Sequence, residues 1–156
     1  IQAIADKHNL KVIIDGAQSF GSTYNNKTDS NLGDISITSF FPAKPLGCYG
    51  DGGAVFTNND EYAKTLKIMR VHGQNKRYHH KFIGMCGRLD TIHAAVLLAK
   101  LPHYKQELEG RQRVAKRYTD TLSDRLQTPV IRSNRSSAWA HNTLSGLTIE
   151  KSFKPS

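Results

Sequence analysis

Residues 34–58, DISITSFFPAKPLGCYGDGGAVFTN, contain two β-branched runs, Asp34–Phe41 and Gly53–Asn58. Between them lie one lysine, Lys44, and the glycines Gly47, Gly50, Gly52 and Gly53. Each run has the length and composition of a buried strand. The segment between them is too short and too apolar for Lys44 to belong to a solvated charge patch. Upstream, LKVIID (Leu10–Asp15) reads as a further strand ending in an acid, and IQAIADKHN before it places Ile1, Ile4 and Ala5 on one face of a helix. Helix followed by strand is the rhythm of an α/β protein.

In open α/β sheets, ligands bind beyond the carboxyl ends of parallel strands. Asp15 ends the first strand, Ser39 lies near the end of the second and Lys44 just beyond it, so an acid, a hydroxyl and an amine can converge on one crevice. Taken singly, each has a plainer role: Asp15 as a helix cap, Ser39 as a strand residue, Lys44 as a surface charge. The four glycines read as tight turns leading into the next strand. They form neither GxGxxG nor GxxxxGK[ST], which disfavours a nucleotide-binding loop.

Working outward, Asp60–Val71 is expected to be a helix, capped by an Asn58/Glu61 arrangement and stopped near Gly73. Asp90–Leu101 is a second helix, with Pro102 ending it or opening the next. The clearest helix follows, because Tyr104, Leu108, Ala115, Tyr118 and Leu122 form an apolar stripe among Lys, Arg, Glu and Gln. After Leu126 the pattern weakens into a stretch rich in Ser, Asn and Thr, and no internal repeat is visible.

The chain of 156 residues is about the size of one domain. With 38% hydrophobic and 22% charged residues it reads as a globular chain, and no apolar run approaches the ~20 residues of a membrane helix. The opening residues carry charge and no apolar core of a secretory leader, and there is no initiator Met. Two cysteines, Cys48 and Cys86, form no CxxC pair, so neither a zinc site nor a disulfide framework is expected, and a reduced, cytoplasmic setting is. The net charge of +9 raises the question of nucleic acid. However, Lys and Arg are spread from Lys7 to Lys154 among acids, with no helix-turn-helix, zinc or RNA-recognition signature, so a basic surface handling anionic metabolites is the better reading.

One family draws these features together. DGAQSFGSTYNNKTDSNLGDISITSFFPAKPLGCYGDGGAVFTNN, with Asp-x-Ala-Gln, Ser-Phe-x-x-x-Lys and Gly-Asp-Gly-Gly in that order, resembles the pyridoxal-phosphate (PLP) dependent sugar aminotransferases of the DegT/DnrJ/EryC1/StrS family, a branch of fold-type I. The resemblance runs from the start of the chain to about Trp139. It implies part of the large PLP-binding domain, a three-layer αβα arrangement with a mostly parallel sheet. It further implies that Lys44 bonds covalently to the cofactor aldehyde and then moves a proton as general acid and base. A desolvated pocket, for which Phe40, Phe41 and Pro42 are suited, favours the free amine. Asp15 would pair with the pyridinium nitrogen, Gln18 bond the ring hydroxyl, Ala17 lie against the ring and Ser39 donate to the phosphate. Arg88 matches a family arginine that reaches the partner subunit's site and suits a uronate carboxylate or diphosphate, and RYHH (Arg77–His80) adds cationic and aromatic groups. Within the family, SFFPAKPLGCYGDGGA and GRLDTIHAA look most like enzymes that aminate a 3-keto nucleotide-linked N-acetylhexosaminuronate for bacterial surface polysaccharide. Glutamate as amino donor and a homodimer are implied with it.

The chain also departs from the family pattern. Cys86 stands where an Asn usually contacts the neighbouring subunit's cofactor phosphate, and a thiol is a poor donor. His93 replaces a common Gln. Family members run to more than twice this length, with an upstream half that supplies a phosphate-binding helix N-terminus and a ring cover. Residues 1–101 read as the later part of the large domain, 102–140 as a long helix leading to a small C-terminal domain, and 141–156 as a divergent tail, as a frameshift would produce. The rival readings are a catalytically inactive aminotransferase fragment acting as an interaction module and a basic nucleic-acid-binding domain.

Overall fold

The computed structural model describes residues 1–146. In chain order the elements are α1 (Gln2–Lys7), β1 (Ile13–Asp15), β2 (Thr23–Tyr24), β3 (Lys27–Thr28), β4 (Ile35–Ser39), β5 (Gly53–Phe56), α2 (Asp60–Met69), β6 (Gln74–Lys76), β7 (His79–His80), α3 (Thr91–Lys100), α4 (Tyr104–Leu122), β8 (Leu126–Gln127) and β9 (Ser145–Gly146). The main sheet has the order β1-β4-β5; β1 pairs with β4 in parallel and β4 with β5 antiparallel. Within this chain the sheet is therefore mixed. The parallel pair is the one that presents Asp15 and Ser39 at its carboxyl end.

A parallel connection needs a crossover, usually a helix. Here residues 16–34 provide it without one. They contain a turn, the β2–β3 hairpin and a 3-10 turn at Asp29–Asn31, and Gly33 (φ +68) then brings the chain back beside Val12.

The core is built from Phe40, Leu46, Cys48, Leu97 and Tyr104, with Phe20, Ala54, Leu89, Val96 and Leu108 packed around them. Phe20 stacks on Tyr104 and Phe56 and meets Phe40 edge-on, geometries that aromatic quadrupoles favour. The Tyr104 hydroxyl donates to the Phe20 carbonyl, and burial pushes its pKa up to about 12. The α4 stripe is buried at Tyr104 and Ala115 and partly at Leu108 and Leu122, whereas Tyr118 is exposed. Of this stripe, Tyr104 and Leu108 join the core cluster around Phe40.

Two boundaries differ from the sequence expectation. The α2 cap is Asn59, whose Oδ1 accepts from the Tyr62 N–H at 3.0 Å, one residue later than expected. Asn58 instead donates to Asn31 Oδ1. Helix α2 ends at Met69, and Gly73 (φ +72) lies beyond it in the β6 approach, with its N–H on the Ile68 carbonyl. Pro102 sits in a 3-10 turn, Leu101–His103, that joins α3 to α4. No helix among the described residues is long and apolar enough to cross a membrane.

Candidate active site

The site lies where β1 and β4 end. The parallel register sets Asp15 beside Ile37, and residues two apart on a strand share a face, so Asp15 and Ser39 stand on one face of neighbouring strands roughly 4.8 Å apart. This is the face of Ile13, Ile37 and Val55, which are 65%, 37% and 48% exposed. The opposite face carries Ser36, Thr38, Ala54 and Phe56, with Ser36 and Thr38 buried.

Each polar group is oriented by its own backbone. Asp15 Oδ1 accepts from the Ala17 N–H at 3.0 Å, an Asx turn that leaves Oδ2 without a partner among the described residues. The next residue, Gly16, donates to the Ile37 carbonyl at 2.8 Å, and its own carbonyl accepts from the Thr38 hydroxyl at 3.2 Å. A Cβ at Gly16 would lie 2.8 Å from that Ile37 oxygen, so only glycine lets the turn bearing Ala17 and Gln18 lie directly on β4. Ser39 Oγ accepts from the Phe41 N–H at 3.2 Å and keeps its own hydrogen to donate. The Lys44 N–H donates to the Phe41 carbonyl at 2.9 Å, closing a turn just beyond the strand.

The aromatic surroundings of Lys44 differ from expectation. Strand alternation continues past Ser39, so Phe40 follows Ser36 and Thr38 into the core, while Phe41 and Pro42 are exposed. Lys44 itself is half-buried, and the apolar mass beneath it is Pro45–Cys48, all buried. The glycine cluster lies in the bends that lead into β5. Gly47, Gly50, Gly52 and Gly53 are set by close packing rather than by positive φ; at Gly50 an added Cβ would lie 2.6 Å from the His93 ring.

Asp29 is a residue that sequence reading missed. It is 5% exposed, and its carboxylate accepts from Ser19 Oγ at 2.8 Å, the Gly21 N–H at 3.1 Å and the Ser30 N–H at 2.9 Å. Desolvation raises its pKa against the effect of these bonds. It clamps the turn 16–22 from below. The only sequence signal was an acid placed between a hairpin and the Ser-Asn pair that forms the 3-10 turn.

Arg88 and Cys86 are exposed, and the Arg88 guanidinium lies 3.8 Å from Cys86 Sγ. Their segment is tied to the end of α2 by Cys86 pairing with Val71 and by the Gly87 N–H on the Arg70 carbonyl. Among the described contacts none joins Arg88 to Asp15, Ser39 or Lys44. RYHH forms part of the exposed β6–β7 hairpin, where Arg77 stacks on Tyr78. Both cysteines are free, and among the described residues no group of three or more His, Cys, Asp or Glu side chains could hold a metal ion.

Residues 1–154 match the sequence pattern described as the DegT/DnrJ/EryC1/StrS aminotransferase family. The chain belongs to this family. The match extends past Trp139, where the sequence resemblance was expected to end, into the tail, whose residues 147–156 lie outside the described ones. The chain is 49% identical to the UDP-2-acetamido-2-deoxy-3-oxo-D-glucuronate aminotransferase of Pseudomonas aeruginosa over 92% of its own length and 40% of that protein's. It is 43% identical to the UDP-N-acetyl-3-dehydro-alpha-D-glucosamine 3-aminotransferase of Acidithiobacillus ferrooxidans over 78% of its own length and 33% of that protein's. Among solved structures, a family aminotransferase from Brucella abortus is 45% identical with a TM-score of 0.89, covering 92% of this chain and 39% of that one. DesV of S. venezuelae, solved in complex with a ketimine intermediate, is 33% identical, also with a TM-score of 0.89, covering 93% of this chain and 40% of that one. The chain thus spans about two fifths or less of the length of the curated relatives it matches.

The family's enzymes are PLP-dependent aminotransferases of fold-type I. The side chains present here fit that cofactor: a free carboxylate oxygen at Asp15, a small flank at Ala17, an exposed amide at Gln18, a hydroxyl able to donate at Ser39 and an amine at Lys44 with no ion pair among the described residues.

Proposed function

We propose that this chain carries the cofactor-binding core of a nucleotide-sugar aminotransferase. The observation that supports this most directly is the register that sets Asp15 and Ser39 on one sheet face, at the mouth of the turn that bears Lys44. PLP, when bound, supplies an electron sink for the carbanion that transamination requires. Asp15 Oδ2 would hold the ring nitrogen in its protonated form, with the carboxylate aimed by the Ala17 N–H. Gln18 would bond the ring hydroxyl, Ala17 would flank the ring, and the Ser39 hydroxyl would donate to the phosphate. Lys44 Nζ would anchor the cofactor, and its amine would take and return the proton at the reacting carbon.

The substrate on this reading is a 3-keto UDP-N-acetylhexosaminuronate, with glutamate as amino donor and surface polysaccharide as destination. The 49% identity to the P. aeruginosa enzyme supports it. The enzyme acts as a cytoplasmic homodimer, with Arg88 reaching the partner's site. Residues 1–101 belong to the large domain and 102–140 lead into a small one.

Reduction with borohydride in the presence of PLP, in the chain joined to the segments its relatives possess and followed by peptide mapping, tests the assignment. The label is expected on Lys44 and absent from a Lys44→Ala variant that keeps its far-UV circular dichroism. Label spread over the exposed lysines would overturn it.

A further inference from the structure

The loop that carries Lys44 leaves β4 after Ser39 and rejoins the sheet at Gly53. Its far side is held from another element. Lys100, the last residue of α3, is half-buried and donates from Nζ to the Gly47 carbonyl oxygen at 2.7 Å, with its ammonium 5.6 Å from the centroid of the Tyr49 ring. At Gly47 the chain folds back on itself, since a Cβ there would lie 2.5 Å from the Pro42 oxygen and 2.7 Å from the Phe41 oxygen. The Phe41 carbonyl is also the acceptor for the Lys44 N–H. The tethered carbonyl therefore sits where the loop closes against the Lys44 turn. Apart from the Phe41 N–H on Ser39 Oγ at the strand end, the loop's other bonds come from within residues 40–52: the Cys48 N–H on the Phe40 carbonyl at 2.8 Å, the Phe40 N–H on the Gly52 carbonyl at 2.7 Å, and the Cys48 thiol 3.1 Å from the carbonyls of both Phe40 and Gly50.

Bonds within a loop shape it but do not place it on the protein. A charge-assisted bond from α3, itself packed into the core through Leu97, does. Resting on the reading of Lys44 as the cofactor lysine, we propose that Lys100 is a positioning residue for Lys44: its ammonium, clamped on the Gly47 carbonyl, holds the Lys44 turn at the mouth of β1 and β4. Without it the buried Gly47 carbonyl loses its donor and the turn drifts relative to Asp15 and Ser39.

The two cysteines of the chain supply a direct probe. Cys86 is exposed and Cys48 buried, so a disulfide-exchange reagent should react in a fast and a slow phase. Lys100→Met, which keeps the apolar stem, is expected to accelerate the slow phase about tenfold and, in the chain joined to the segments its relatives possess, to raise by about tenfold the PLP concentration that half-saturates borohydride labelling at Lys44. Lys100→Arg, which restores a cationic donor, should return both toward wild type. Leu97→Ala serves as a control for lost core packing in the same helix. The proposal is overturned if Lys100→Met leaves Lys44 labelling unchanged, if arginine fails to rescue it, or if Leu97→Ala reduces labelling equally at matched stability. If wild type, joined to the segments its relatives possess, takes no label at Lys44 while the slow phase still responds to Lys100→Met, the cofactor reading fails and the positioning role falls with it, leaving only a structural tether.

Discussion

Asp29 offers the sharpest test of how the turn after β1 is built. Replacing it with alanine removes three accepted bonds, from Ser19 Oγ, the Gly21 N–H and the Ser30 N–H. The serine hydroxyl can turn to water, but the two amides are partly buried, and each unsatisfied donor costs about 1–2 kcal/mol. Asp29→Ala should therefore destabilise the chain by about 2–4 kcal/mol and speed hydrogen exchange across residues 16–22. Asp29→Asn should behave quite differently. Its carbonyl oxygen can take the Oδ1 position and keep both amides, while its NH₂ group donates to Ser19. The pH dependence follows from the raised pKa, whose largest cause is desolvation. A carboxyl whose folded pKa lies above its unfolded value contributes stability that is complete below the unfolded pKa and is lost as pH rises through the folded one. The Asn variant has no such loss, so its stability relative to wild type should improve as pH rises above the ordinary carboxylate pKa. Urea unfolding followed by circular dichroism across that range measures both effects. An Asn variant as damaged as the Ala variant, or an Ala variant within about 0.5 kcal/mol of wild type, would refute the clamp.

Four further outcomes are expected. Asn59→Ala should cost about 1 kcal/mol through loss of the α2 cap, read as a lower urea midpoint, with Asn59→Ser largely preserving it. The Asp34 carboxylate is held below its usual pKa first by the Val12 N–H and then by Lys11, so its contribution is present above the ordinary carboxylate pKa and fades as pH falls through the lowered one. Asp34→Asn should accordingly flatten the acid limb of a stability–pH profile below about pH 4. Cys86→Asn, in the chain joined to the segments its relatives possess, should tighten PLP by about 1–2 kcal/mol, and an unchanged affinity in equilibrium dialysis would show that the phosphate is held elsewhere. By itself the 156-residue chain should bind PLP at best weakly, show no 2-oxoglutarate release from glutamate and self-associate, because Ile1, Ile4, Ile13, Ile83 and Leu98 are all well exposed. A monodisperse preparation with steady turnover would contradict this.

The sequence by itself determined the order of the main elements, α1, β1, β4, β5, α2, α3 and α4, and the cofactor residues proposed for the site. β-branched runs are legible because side chains alternate along a strand, and an Asp, a Ser and a Lys at strand ends are local features whose spacing survives without a fold. Only the tertiary structure decided which face each residue takes and what lies behind it. Phe40 and Phe41 are adjacent and chemically equal, yet one enters the core and the other faces out, since burial depends on which side of β4 the helices cover. The clamp at Asp29 and the tether from Lys100 to Gly47 join residues 10 and 53 positions apart or act through backbone atoms. A carbonyl has no letter in a sequence, and a lysine at the end of a helix looks the same whether it meets water or a buried oxygen.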